Sequence, residues 1–246
     1  MAVAIAEKFM HVVTPALNAG DVEALRDGVS ERWKPSELCG LLQHADLEVR
    51  RTAVVTLGIV GDRGVVGCLT RCLHEPDEQV QQFAEDALWS IWFRLGKPAA
   101  AEKFREGVIA LTEDRYDDAV RALDRAIARD PEFAEAYNQL AIAHYLSNQW
   151  DASMVACRQA LSLMPTHFGA MAGLGHCYAH GGRLRQAIDC YRRALTINPQ
   201  MSPIADAKAR LEKQLAQTEA DGLPDASDDE PQAVLLDLDF DLNDRA

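Results

Sequence analysis

Small and apolar positions along residues 134–167 recur at intervals of three and four. Tyr137, Leu140, Ala141 and His144 share one face of a first helix, and Trp150, Ser153, Cys157, Ala160 and Leu161 share one face of a second. Residues 168–201 repeat the arrangement with Met171, Leu174, Gly175 and Tyr178, then Leu184, Ala187, Tyr191, Ala194 and Leu195. The self-similarity has a fixed period. Pro131, Pro165 and Pro199 are 34 residues apart, as are Ala126, Ala160 and Ala194, and Ile127, Leu161 and Leu195. Each Pro ends the second helix of its block, because it lacks an N–H and disfavours helix in the residue before it.

A shorter period runs upstream. Asp46, Val49, Ala53 and Leu57 return 31 residues later as Asp77, Val80, Ala84 and Leu88, and Leu38 and Leu42 return as Leu69 and Leu73. Asp46 and Asp77 stand where an N-cap carboxylate would satisfy free backbone N–H groups. Residues 1–33 add helices around 5–17 and 22–33. The pattern predicts an all-α chain without strands.

The 34-residue blocks 100–133, 134–167 and 168–201 resemble tetratricopeptide repeats. That motif has an aromatic residue, Leu-Gly, Tyr, Ala, a second aromatic, Ala-Leu and Pro in order. The third block matches most of it, with Met171 in the first aromatic place. The second departs at His144, Ser153 and Cys157. The first departs in its opening helix at Lys103 and Glu106, and matches from Tyr116 onward. Residues 36–95 resemble two short-period HEAT repeats, with a turn at Gly61-Asp62.

The resemblances imply an alpha-alpha superhelix. HEAT-like helices would occupy 1–96 and a tetratricopeptide domain 97–217, closed by a capping helix over 202–217, with a disordered acidic tail at 218–246. In such stacks no helix pair buries its own apolar face, so neighbours do, and a concave wall remains for a ligand. The family's geometry puts Phe104, Val108, Leu111, Glu135, Asn138, Gln139, Ile142, Tyr145, Ala172, His176 and His180 on that wall. Chaperone-binding members clamp a terminal carboxylate with Lys and Asn, at places occupied here by Phe104, Val108, Gly169 and Gly173. The ligand implied is therefore an apolar or amide-rich protein segment. The implied role is a non-enzymatic scaffold with protein partners and no cofactor. The alternative is an accessory subunit of an enzyme or cofactor-handling complex, since short-period HEAT units resemble those of pigment-lyase subunits.

Composition narrows this. Of 246 residues 48% are apolar and 26% charged, which suits a globular chain. The longest apolar run, 53–60, is far short of a membrane span and is broken by Thr56 and Gly58. No basic leader with a cleavage site opens the chain, so a cytoplasmic protein is expected. The net charge is −13, of which 218–246 carries −9, with ten acids against Arg245. Residues 1–96 carry −5 and 97–217 carry +1. Neither provides the positive field that nucleic-acid binding needs.

Candidate chemistry is sparse. Cys68 and Cys72, with His74 near, have a spacing that zinc uses, but lack a convincing fourth ligand, and all six cysteines read as reduced core thiols. His176 and His180 share the spacing of a zinc-protease helix, but Cys177 replaces its Glu, so they read as groove lining. Gly173-Leu-Gly175 sits inside a helix rather than after a strand, so it is a packing feature, not a dinucleotide loop. Trp89, Trp92 and Phe93 read as core at the junction of the two arrays, with an exposed binding hot spot as the alternative. Asp237, Asp239, Asp241 and Asn243 lack the Gly and closing Glu of a calcium loop. In the same stretch Leu236, Leu238, Phe240 and Leu242 alternate with Asp, so an extended segment offers one apolar and one acidic edge. That raises self-docking of this tail into the chain's own groove.

Overall fold

A computed structural model describes residues 2–220, with side chains from residue 5 onward. Every regular element among them is helical. They form two compact units: residues 2–95 with 198–200, and 96–197 with 201–220.

In the first unit α1 (Ala2–Ala19) pairs with α2 (Val22–Ser30), followed by the short α3 (Pro35–Leu38), α4 (Leu47–Val60), α5 (Val66–Cys72) and α6 (Glu78–Arg94). The helix expected over 22–33 ends at Ser30. Asp46 and Asp77 cap α4 and α6, accepting from Glu48 N at 2.9 Å and Val80 N at 3.0 Å. The 31-residue period sets α4 and α6 side by side. They touch closely because Gly58 has no side chain: a Cβ there would lie 2.9 Å from that of Ala87. Polar bonds join the same two helices. Ser90 Oγ donates to Gly58 O (3.1 Å), Arg94 Nη2 to Gly61 O (2.9 Å), and the Arg51 fork grips the Asp77 carboxylate (2.8 and 3.1 Å). The core contains Phe9, Leu25, Leu57, Leu69, Leu88 and Trp92, all essentially inaccessible.

One expectation for this unit is corrected. Cys39, after α3, and Cys68, on α5, form a disulfide, their Cα atoms 6.1 Å apart, within the span such a bond bridges. The 31-residue repeat brings them together. Cys72, Cys157, Cys177 and Cys190 are free and buried.

The second unit holds three helix pairs: α7 (Pro98–Thr112) with α8 (Tyr116–Arg129), α9 (Ala134–Leu146) with α10 (Trp150–Leu163), and α11 (Phe168–His180) with α12 (Leu184–Ile197). α13 (Ser202–Ala220) packs on α12. The turn inside each pair passes through left-handed backbone at Asp114 (φ 55°), Asn148 (61°) and Gly182 (72°), again 34 residues apart. These are the residue types that tolerate that region. Each pair also closes on a residue with little or no side chain. A Cβ at Gly107 would lie 2.6 Å from Leu123, and one at Gly175 would lie 2.5 Å from the Tyr191 ring. The capping helix runs three residues past the expected 217. Glu219 is held by Arg185 Nη2 at 2.9 Å, and Thr218 Oγ1 donates to Gln214 O. The remainder of the acidic stretch expected at 218–246, from 221 on, lies outside the described residues.

Candidate functional site

The first helices of successive pairs, α7, α9 and α11, adjoin one another directly, with second helices packed behind them. They form the inner layer of the unit. Between α9 and α11, with α10 as floor, this layer opens a cavity of about 220 Å³ lined by Asn138, Ala141, Ile142, Tyr145, Leu146, Ser153, Cys157, Gly169, Gly173 and His176. Two glycines on α11 make the space. A Cβ at Gly173 would already stand 3.3 Å from Cys157 Sγ. Ile142 (39% exposed) and Leu146 (45%) stand at the mouth, one turn apart on the same face of α9.

The cavity's far wall is a polar-aromatic cluster. His176 Nδ1 lies 2.6 Å from the Tyr191 hydroxyl, and the Tyr145 ring stands 6.1 Å from the imidazole. Burial holds His176 below the usual histidine value and, with Tyr145 nearby, pushes Tyr191 up to about 12. Trp150 stacks edge-on against Tyr145 at 4.9 Å and lies 3.7 Å from the His180 ring. Three thiols lie beneath. Cys177 Sγ is 3.2 Å from Ser153 Oγ, which itself donates to Ala141 O at 2.8 Å. Burial raises Cys190 to about 12 and holds Cys157 higher still, so neither thiol is an activated nucleophile.

The residues expected on the wall divide into three groups. Ile142, Tyr145 and His176 line the cavity, and His180 lies exposed beside Trp150. Val108 and Leu111 are half-buried against the core. Phe104 (tilted against Phe133 at 4.5 Å) and Ala172 are buried. Glu135, Asn138 and Gln139 are also buried, for a reason the sequence hid. Glu135 Oε1 accepts from Asn138 Nδ2 (3.1 Å) and Gln139 Nε2 (2.6 Å), and Oε2 lies 2.7 Å from His167 Nε2. His167 Nδ1 accepts from Ala170 N at 3.2 Å, capping α11. Because Nδ1 accepts a backbone proton, the imidazole proton sits on Nε2 and points at Glu135. The amides expected to face a ligand thus donate to Glu135 within α9, and Glu135 in turn ties α9 to the cap of α11; of these three residues only Asn138 also borders the cavity. Leu146, Ser153 and Cys157 were not anticipated as lining.

Elsewhere the chemistry is modest. Cys68 is bonded to Cys39, and among the described residues no three His, Cys, Asp or Glu converge as metal ligands would. No helix among them is long and apolar enough to cross a membrane.

The family models agree with the helical-pair architecture of the second unit. The tetratricopeptide-repeat profile matches residues 104–168 and again 170–201. A TPR repeat-containing protein of Rhizobium etli is 31% identical over 90 residues, 37% of this chain and 44% of that one. Anaphase-promoting complex subunit 3 of Schizosaccharomyces pombe is 33% identical over 87 residues, 35% of this chain and 13% of that one. The match thus spans less than half the length of either relative. Among solved structures, the Sgt2 TPR domain of Aspergillus fumigatus superposes with a TM-score of 0.49 at 17% identity, over 56% of this chain and 93% of that domain. Residues 104–168 and 170–201 are tetratricopeptide repeats.

Proposed function

We propose that this protein is a non-enzymatic scaffold that holds a segment of another polypeptide across α9 and α11, with one apolar side chain of the ligand seated in the cavity. The observation that carries this reading is the cavity itself. Its 220 Å³ falls below the about 300–1,000 Å³ of small-molecule sites, and its lining is mostly apolar apart from Asn138, Ser153 and the His176 cluster, with exposed aliphatics at the rim. A single Leu or Phe side chain from a ligand suits such a space better than a cofactor does. The lining has no Lys or Arg, so a terminal carboxylate finds no clamp there.

Burying one such side chain contributes about 1.5–3 kcal/mol. Panning a random peptide library against the full chain tests the reading. Selected peptides are expected to bind Ile142→Asp and Gly173→Leu variants ~10-fold or more weakly, since ~1.4 kcal/mol is tenfold. Peptides indifferent to both substitutions would place binding elsewhere and overturn the proposal. Ile142 is exposed, so its replacement leaves the core intact.

A further inference from the structure

The reading of this groove as a peptide site leaves its occupant open, and four observations bear on that. The first is where the described chain ends. α13 finishes at Ala220, with Glu219 paired to Arg185 near the start of α12. α12 follows directly on the end of α11 that carries His180, one turn from His176 in the cavity wall. The described part of the chain therefore ends near the groove's own end. From Ala220 to Leu235 are fifteen residues, which extend up to about 50 Å. α11 itself is only about 20 Å long at 1.5 Å per residue. The following segment reaches every part of the groove without strain.

The second observation is pattern. Residues 235–242 read Leu-Leu-Asp-Leu-Asp-Phe-Asp-Leu. Extended, such a segment sets Leu236, Leu238, Phe240 and Leu242 on one edge and Asp237, Asp239 and Asp241 on the other, same-side residues recurring about every 6.6 Å. The apolar edge matches a groove with one cavity and two aliphatic residues at its rim, and the carboxylates need not enter it. The third is charge. Residues 221–246 carry nine acids and one base, whereas 181–220 carry seven bases and four acids. The fourth is local. Arg210 of α13 lies within electrostatic reach of the Tyr191 hydroxyl, which bonds to His176 in the cavity wall.

We infer that residues 235–242 of this chain are an intramolecular ligand of the α9–α11 groove: their apolar edge lies over Ile142 and Leu146 with one side chain in the cavity, and an external partner must displace them.

The test uses a fluorescent peptide of residues 233–244 and anisotropy. Three chains are compared: full length, one ending at residue 230, and full length carrying Leu238→Asp with Phe240→Asp. Both changes lie outside the described residues. The peptide is expected to bind the shortened chain and the double variant. It should bind the unaltered chain ~10-fold or more weakly, because a tethered competitor acts at an effective concentration of about 1 mM. Ile142→Asp in the shortened chain is expected to abolish binding, and added salt to weaken it. Equal binding to full-length and shortened chains, or none to the shortened chain, overturns the inference. So does binding that survives both Ile142→Asp and Gly173→Leu. A molecular mass that rises with concentration, and stays monomeric in the double variant, would make a second copy the occupant and overturn the intramolecular form. The two proposals fail separately. If library-selected peptides need Ile142 while the 233–244 peptide does not bind, self-docking is wrong and the groove reading stands. If the selected peptides ignore Ile142, the groove reading is wrong.

Discussion

Glu135 shows how one residue can look like a ligand contact and be a fastener. Its carboxyl oxygens serve three donors on α9 and at the cap of α11, and it is 1% exposed. Glu135→Ala leaves those buried donors without an acceptor, at about 1–3 kcal/mol for each left unsatisfied. A loss of ~3 kcal/mol or more in urea unfolding is expected, and a loss below ~1 kcal/mol would show the network to be dispensable. His176 supplies a pH signature. Burial lowers its folded value, and the groups facing it are the Tyr191 hydroxyl and the Tyr145 ring. Below about pH 6.5 the unfolded chain binds a proton there that the folded chain does not, so stability falls as pH drops through that value. The urea midpoint should decline from pH 7.5 to 5, and decline less in His176→Gln; identical slopes would refute the assignment. Single residues were the least legible level of the sequence. The resemblance to tetratricopeptide repeats implied one wall for Ile142, Tyr145 and His176. It said nothing of the Glu135–His167 contact, because a hydrogen bond across 32 residues leaves no periodic trace.

At the scale of the helix the sequence was far more readable, since packing in a repeat fold is set by spacing. The 34-residue period located all three pairs and the close-packing place at Gly175. The left-handed turn residues Asp114, Asn148 and Gly182 keep the same period, but three different residue types conceal it. Helix ends were less clear: α2 stops short and α13 runs on, because terminal contacts such as Arg185 with Glu219 decide them. Gly175 offers the sharpest test at this level. A methyl there would meet the Tyr191 ring at 2.5 Å and Cys190 Cβ at 3.2 Å, and Tyr191 is held by His176. Overpacking of this kind costs about 1–3 kcal/mol, so Gly175→Ala is expected to lower the unfolding midpoint despite alanine's better helix propensity. A rise would mean that α11 and α12 separate freely.

For the whole molecule, the all-helical class followed from periodicity, whereas the cysteine chemistry did not. Composition favoured six thiols, but the 31-residue repeat sets Cys39 against Cys68. Thiol titration in denaturant should therefore give four reactive groups before reduction and six after; six at the outset would exclude the bond. Across a sequence separation of 29, such a link stabilises by about 3–4 kcal/mol, and reduction should lower the stability of the first unit accordingly.

The cavity has a further consequence for the helix beside it. α11 contains Gly169, Gly173 and Gly175 within thirteen residues, and each weakens an isolated helix by about 1 kcal/mol relative to Ala. Left to itself this would be a poor helix, held in shape by α10, α12 and the His167 cap. Whatever fills the space at 169 and 173 therefore props up the element that forms its own wall. A guest there lends, from beyond the backbone it touches, the bulk that α11 omits.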